Sequence, residues 1–554
     1  MIRNDSRPAI RLVPLGGLGE IGMNCLAIET AGAILVVDCG VTFPHTDLGV
    51  DVFHPDLSYL EVRRDRIAGV VLTHGHEDHI GGLPYLLRRI DVPVWAPCHA
   101  LGLASERLEE RGYDLRQLRL RSIRPGQSYQ AGPFRFEPVR VTHSITDACA
   151  LLIRSGDFTL IHTGDFKFDP NPPDGEPTDE QRLAEIGQEG VDLLLSDSTN
   201  IDTEGASGSE DGVGRTLDAM VGQASHRVIV GMFSSNVQRL RMVGEIARKH
   251  GRRLCLLGRS VNTQVRVATK CGRLSWPSDL LIPPDGLAAV ARDRVLVVAS
   301  GTQAEPVAAL SRLSVRTHPA LRLDPGDMVL MSSRIIPGND PAVFRMLGNF
   351  IRQAVEVRTR ITHPELHVSG HAHREEQRRM LELVRPRHFI PIHGTLHHLK
   401  RHADFARSLG IDSVLLVENG DVVELTKDRV RKTGVTEVGK VATYDGEEIP
   451  EDVLRQREVL GRSGIAVVTV MVDVRGQLLA PPFVSTRGVL DEAEELDLLK
   501  AATHDVAMAF AARPFQTERP TDAQIVDVAE RAIRRSINGI SGRRPVAIIH
   551  VARP

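Results

Sequence analysis

The stretch Thr73-His74-Gly75-His76-Glu77-Asp78-His79-Ile80-Gly81-Gly82 places three imidazoles and a ligand-competent carboxylate within six positions, His74 to His79. It directly follows the apolar run Gly69-Val70-Val71-Leu72, which reads as a buried strand. A strand that runs into a His-rich loop, with a helix after it, fixes these side chains at the rim of a sheet. Neutral imidazole and carboxylate together suit zinc, manganese or similar ions. A carboxylate also lets a second ion sit close to the first, the arrangement used in phosphoryl chemistry.

Further ligand candidates stand at the ends of other apolar runs. Asp38 follows Leu35-Val36-Val37, His143 follows Val139-Arg140-Val141-Thr142, and Asp165 follows Leu160-Ile161-His162-Thr163-Gly164. Strand ends on one edge of a sheet converge in space, so this recurrence predicts one cluster. The net charge of −3, from 68 basic and 71 acidic residues, excludes a globally basic nucleic-acid binder but leaves room for a local basic groove. Aromatic residues make up only 4%, so widespread base-stacking platforms are excluded. The six cysteines include no Cys-x-x-Cys pair and read as reduced core residues. Met1 to Ser6 lack an apolar core, which predicts no secretory signal and a cytoplasmic location. No apolar run reaches the length of a membrane span.

The chain of 554 residues divides by texture. Residues 1–208 alternate short β-rich runs with Gly-rich turns, the pattern of an α/β sandwich on mixed sheets. Residues 209–355 show regular strand–helix alternation, which implies a parallel sheet. Residues 356–425 return to the first texture, so the middle unit reads as an insertion. Residues 426–459 are charged and read as an irregular linker. Residues 460–554 read as a small α/β unit, with Thr521 and Asp522 as helix-capping candidates.

The motif His74-x-His76-x-Asp78-His79, with Asp38 upstream and His143 and Asp165 downstream, resembles the metallo-β-lactamase superfamily. The resemblance implies that His74, His76 and His143 hold one metal. Asp78 and His79 then hold a second, Asp165 bridges the two, and Asp38 orients. Ser196-Asp197-Ser198-Thr199-Asn200, Ser369-Gly370-His371-Ala372 and Pro391-Ile392-His393-Gly394-Thr395 resemble the conserved motifs of the β-CASP nucleases. That implies His393 on the second metal and Asp197 and His371 as catalytic partners, with Asp78 also able to orient the attacking water. Pro14-Leu15-Gly16-Gly17-Leu18-Gly19-Glu20-Ile21-Gly22-Met23-Asn24 and the α/β tail are similar to the ribonuclease J family.

The implied fold is a metallo-β-lactamase αββα sandwich with an inserted parallel-sheet β-CASP domain and a small C-terminal α/β domain. The implied function is metal-dependent hydrolysis of RNA, 5′→3′ from 5′-monophosphate ends, with endonucleolytic cleavage, in RNA maturation and decay. The implied cofactors are two divalent ions, zinc first, with manganese or magnesium as alternatives. By the same resemblance Phe233, Ser234, Ser235 and Asn236 with His367, Val368, Ser369, Gly370 and His371 line a pocket for a 5′-monophosphate nucleotide. Read from the residues alone, Ser234 to Asn236 also fits an ordinary helix N-cap. The family offers a structural calcium site at the Gly49 carbonyl, Asp51 and Asp445; within the loop of His45, Asp47, Asp51, His54 and Asp56, simple solvation is the other reading. The implied partners are RNA, further copies in a homodimer or homotetramer, and RNA-degradosome proteins such as a helicase, with no membrane. Three other readings stay open: a small-molecule metallo-hydrolase of lactonase or thioesterase type, a DNA-directed β-CASP nuclease, and a non-catalytic scaffold.

Overall fold

The computed structural model describes residues 9–554 except 31, 45–47, 492–494, 513–514 and 516–518. His45 and Asp47 of the proposed loop cluster lie outside the described residues. The chain forms two compact units, Met1–His45 with Val52–Lys440, and Thr46–Asp51 with Val441–Pro554.

Two sheets face each other in the larger unit. The first has eight strands, ordered Val430–Val435, Asp421–Leu425, Ile10–Gly16, Cys25–Thr30, Ala33–Val37, Ile67–Val71, Val94–Pro97 and Leu120–Ile123. The second has six, ordered His388–Ile392, Leu193–Asp197, Phe158–His162, Cys149–Ser155, Phe134–Arg140 and Tyr129–Ala131. Alternate residues of each sheet meet in one core, with Leu12, Ile28, Leu35 and Val71 against Phe134, Phe136, Leu151 and Leu193. Each such fully buried side chain stabilises the sandwich by about 1.5–3 kcal/mol. Residues of the opposite parity pack outward on helices: Ile34, Val36 and Val70 on Leu83, Leu86 and Leu108, and Leu152, Ile161 and Phe389 on Leu183, Ile186 and Met380. The resulting order of layers is αββα.

The inserted sheet is fully parallel, ordered Arg253–Leu257, Val295–Ala299, Val228–Met232, Met328–Ser332 and Glu356–Thr359. Its last strand lies beyond the expected boundary at 355, because Met328–Ser332 needs a partner on its outer edge. The chain then returns to the sandwich, and His388–Ile392 pairs parallel with Leu193–Asp197.

Two expectations are corrected. The stretch 426–459 is not irregular: it forms the strands Val430–Val435, Lys440–Tyr444 and Glu447–Ile449 and opens the helix Glu451–Ser463. Val430–Val435 is an edge strand whose residues are nearly all exposed, so it carries no apolar alternation to read. Nor are all six cysteines free. Cys98 and Cys271 form a disulfide with Cα atoms 5.9 Å apart, while Cys25, Cys39, Cys149 and Cys255 are buried thiols. The disulfide ties the helix Cys98–Glu110 to the end of Arg259–Lys270 in the insertion. Gly102 permits that close approach, since a Cβ there would stand 2.5 Å from Val267 Cγ1. Two partners 173 residues apart leave no mark in sequence spacing.

The smaller unit carries a three-stranded sheet, Phe483–Arg487, Ile465–Met471 and Val546–Ala552, under the helices Leu496–Ala511 and Asp522–Ser541. Thr521 caps the second helix, its hydroxyl accepting from Gln524 N.

Candidate metal centre

Parallel pairing explains why the ligand candidates converge. Ala33–Val37 and Ile67–Val71 are parallel neighbours, so Asp38 and His74 leave the first sheet at the same edge. Phe158–His162, Leu193–Asp197 and His388–Ile392 are successive parallel neighbours, which aligns Asp165, Asp197 and His393 at the matching edge of the second. The backbone bends sharply there: Asp38 and His393 take left-handed φ values of 60° and 53°. Such strain in non-glycine residues costs of order 1–3 kcal/mol and persists where the surroundings impose it. Gly40 allows the His loop to lie against the sheet, because a Cβ would meet the Asp78 carbonyl at 1.7 Å.

The side chains form three overlapping groups, each with ligand atoms within 4.8 Å of one another: His74, His76, His143 and Asp165; Asp78, His79, Asp165 and His393; and Asp165, Asp197, His371 and His393. In the first, His76 Nδ1 lies 3.1 Å from both His74 Nε2 and His143 Nε2. These separations approach the edge of a tetrahedron with bonds of about 2.0–2.1 Å, the length of zinc–imidazole bonds. In the second, Asp165 Oδ2 lies 3.2 Å from His79 Nε2, and Asp78 Oδ2 lies 3.3 Å from His393 Nε2. Asp165 is common to every group, the place of a bridging carboxylate.

The far nitrogen of each imidazole is held. His74 Nδ1 donates to Thr73 Oγ1 at 3.0 Å, and His143 Nδ1 donates to the Gly370 carbonyl at 2.6 Å. His79 Nδ1 donates to Asp38 Oδ2 at 2.8 Å, so Asp38 orients rather than ligates. His393 Nδ1 donates to Thr199 Oγ1 at 2.7 Å. Outer partners of this kind fix ring orientation and tautomer.

Electrostatics divide the cluster in two. Burial, reinforced by neighbouring imidazoles, holds His74 and His143 well below the usual histidine range, and burial brings His76 down to about 4. These rings are neutral and offer lone pairs. Burial opposes charge on His79 and His393 as well, but Asp165 and the other carboxylates outweigh it and raise both. Burial alone would raise Asp165; the field of His393, His79 and His371 keeps it ionised. Asp165 Oδ1 is buried with no hydrogen-bond partner. A buried ionised oxygen that accepts no hydrogen bond, among imidazoles that present neutral nitrogens, suits a cation, so the residues fit divalent ions.

His371 Nδ1 stands 2.8 Å from Asp197 Oδ2. Asp197 Oδ1 accepts from the Thr199 hydroxyl at 2.7 Å. The motif Ser196 to Asn200 contains Thr199, but sequence reasoning gave it no role; it ties Asp197 to His393. Asn200, likewise given no role, donates from Nδ2 to Ser369 Oγ at 2.7 Å.

The pocket residues separate on inspection. Phe233 and His367 meet edge to face, with ring centroids 6.3 Å apart. Asn236 is indeed the cap of the helix Val237–Lys249, accepting from Arg239 N at 2.9 Å. Val368 packs against the core of the insertion, so its side chain is structural. Ser234 Oγ pairs with Ser260 Oγ, and Ser235 Oγ lies 3.1 Å from His76 Nε2. Elsewhere, Asp51 Oδ2 accepts from Asp445 N at 2.7 Å, while the Gly49 carbonyl accepts from Arg457 at 2.9 Å. His54 is buried and stacks on Tyr85, and Asp56 Oδ1 accepts from Ser58 N at 2.8 Å; among the described residues neither joins a group of metal-ligating side chains.

Residues 18–208 match the metallo-beta-lactamase superfamily, 225–350 the Ribonuclease J beta-CASP domain, 354–416 the Zn-dependent metallo-hydrolase RNA specificity domain and 452–553 the Ribonuclease J C-terminal domain. The chain is 40% identical over 495 residues to Ribonuclease J of Mycobacterium tuberculosis, covering 88% of each. The chain belongs to the ribonuclease J family. Ribonuclease J of Synechocystis is 38% identical across 88% of this chain and 77% of its own. That of Mycolicibacterium smegmatis is 35% identical across 97% and 96%. A solved structure of a protein of unknown function from Enterococcus faecalis shares the fold, with a TM-score of 0.54, 16% identity, and coverage of 75% of this chain and all of that one. As a member of the ribonuclease J family the chain is a metal-dependent ribonuclease, which sets aside the lactonase, thioesterase and scaffold readings.

Proposed function

We propose that the chain degrades RNA from 5′-monophosphate ends in the 5′→3′ direction and also cuts internally, with zinc as the resident metal and manganese or magnesium as substitutes. The observation that carries the end preference is the charge around His367. Arg239, Arg360, Lys167 and Arg334 all act on this half-buried imidazole and, after burial, hold it well below its usual range. Arg239 Nη1 lies 3.2 Å from His367 Nδ1. A guanidinium only donates, so Nδ1 accepts and the ring proton sits on Nε2. Arg239 and Lys167 are paired with Glu210 and Asp169, which leaves this neutral donor with the exposed Arg334 and Arg360 in its field, a setting that suits a terminal phosphate. Ser369 Oγ, which accepts from Asn200 and from His371 N, stands two residues from His371.

Divalent ions held by the His/Asp cluster supply the positive charge that activates water at neutral pH and stabilises the phosphodiester transition state. His74, His76 and His143 would hold one ion, Asp78, His79 and His393 would hold the other, and Asp165 stands in reach of both. Asp78, at 27% the most exposed carboxylate of the cluster, orients the attacking water. His371, raised by Asp197 and Asp165 against the effect of burial, keeps its proton near neutrality. It passes that proton to the departing 3′ oxygen, and Asp197 holds the ring for the transfer.

The test is hydrolysis of matched RNAs bearing 5′-monophosphate or 5′-hydroxyl ends by the wild type and by Ser369→Ala and His367→Gln. Both substitutions are expected to reduce the preference for the monophosphate; unchanged preference refutes the pocket. A matched DNA oligomer in the same assay separates RNA from DNA action. The cytoplasm, RNA maturation and decay, and degradosome proteins such as a helicase complete this reading. The smaller unit leaves Val474, Phe483 and Met508 exposed, an apolar surface that fits a second copy in a dimer or tetramer; light scattering of the purified protein reads the assembly state.

A further inference from the structure

Five imidazoles carry the metal centre, and four have their outer nitrogen held from within the sandwich, by Thr73, Asp38, Thr199 and the Gly370 carbonyl. The fifth is His76. Its Nδ1 faces the nitrogens of His74 and His143, so Nδ1 is the ligand atom and Nε2 bears the proton. That Nε2 points at Ser235 Oγ, 3.1 Å away and 159 residues distant in sequence, on the inserted domain.

The loop carrying Ser235 is anchored on both sides. Asn236 next to it caps its helix and donates from Nδ2 to Glu210 Oε1 at 2.9 Å. Glu210 is clamped by the fully buried Arg239 at 2.6 and 3.0 Å. Ser234 on the other side is held by Ser260. The hydroxyl therefore meets His76 from a preset position.

We propose that Ser235 is a positioning residue of the first metal site: it accepts the His76 Nε2–H and keeps Nδ1 turned to the ion. The insertion thus supplies one outer contact of the metal centre, rather than only a wall for the substrate. The inference rests on the reading of His74, His76 and His143 as ligands.

The experiment uses the full-length, metal-stripped protein and Zn²⁺ alone, titrated against a chromophoric chelator, with kcat and KM on 5′-monophosphate RNA measured in parallel. Ser235→Ala is expected to bind one of the two ions about tenfold more weakly, in the range seen when an outer-shell partner is lost. Its kcat falls at limiting zinc and recovers at excess zinc, with KM unchanged. Ser235→Thr, which keeps the hydroxyl, is expected to match the wild type. Equal zinc affinity in Ser235→Ala and wild type overturns the proposal; so does a raised KM with intact zinc binding, which makes Ser235 a phosphate ligand. A wild type that binds no zinc refutes the underlying metal assignment instead.

Discussion

His371 Nδ1 donates to Asp197 Oδ2 at 2.8 Å, across 174 residues of sequence. Asp197 is buried while His371 is partly open, so the carboxylate fixes a ring whose other side is accessible, as the proposed proton donor requires. Asp197→Asn removes the charge that keeps His371 protonated. Its kcat is expected to fall about 10²-fold or more, the scale of a lost general acid, with zinc content unchanged by elemental analysis. A kcat within twofold of wild type contradicts the role.

His76→Ala should keep the fold, read by circular dichroism, and lose hydrolysis together with one zinc equivalent. Chelation of the wild type should likewise abolish RNA cleavage, and added Zn²⁺ or Mn²⁺ should restore it. Full activity of the variant without excess metal opposes the assignment.

The covalent tie from Cys98 to Cys271 closes a span of 173 residues. Replacing both cysteines by serine is expected to lower the unfolding free energy by about 2–4 kcal/mol, chiefly through the unfolded chain. Urea titration reads the change, and non-reducing peptide mapping reads the bond. An unshifted midpoint contradicts the contribution assigned to it.

His402 gives the pH dependence of stability. It is buried beside Phe389, its Nδ1 pairs with Ser198 Oγ at 3.0 Å, and burial brings it down to about 3. The folded protein resists protonating it, while the unfolded chain takes up the proton near pH 6.5. Its contribution is therefore complete above pH 6.5 and is lost as pH falls toward 3, at up to about 1.4 kcal/mol per pH unit. His402→Gln should flatten the fall in urea stability between pH 6.5 and 5 by that amount. Parallel pH profiles for the two proteins sink the prediction.

The metal cluster was legible because its ligands sit at strand ends, and parallel strands bring such ends together whatever their distance along the chain. The alternation of strand and helix likewise gave the inserted sheet. The partners of those ligands were not legible. The hydroxyls of Thr73, Thr199 and Ser235 look like any others, and only folding sets them against imidazoles. The pairing of Cys98 with Cys271 needed two helices to approach across a glycine. Val430–Val435 passed for a linker because an edge strand open to water on both faces needs no apolar alternation.

Asp78 and His393 are 315 residues apart, yet their side chains meet at 3.3 Å. During synthesis the first of them leaves the ribosome long before the second exists. A nascent chain shorter than residue 393 lacks the His393 side of this pair, however well its earlier strands have formed. Closure of this pair is thus a late event in synthesis, set by the position of His393 in the chain.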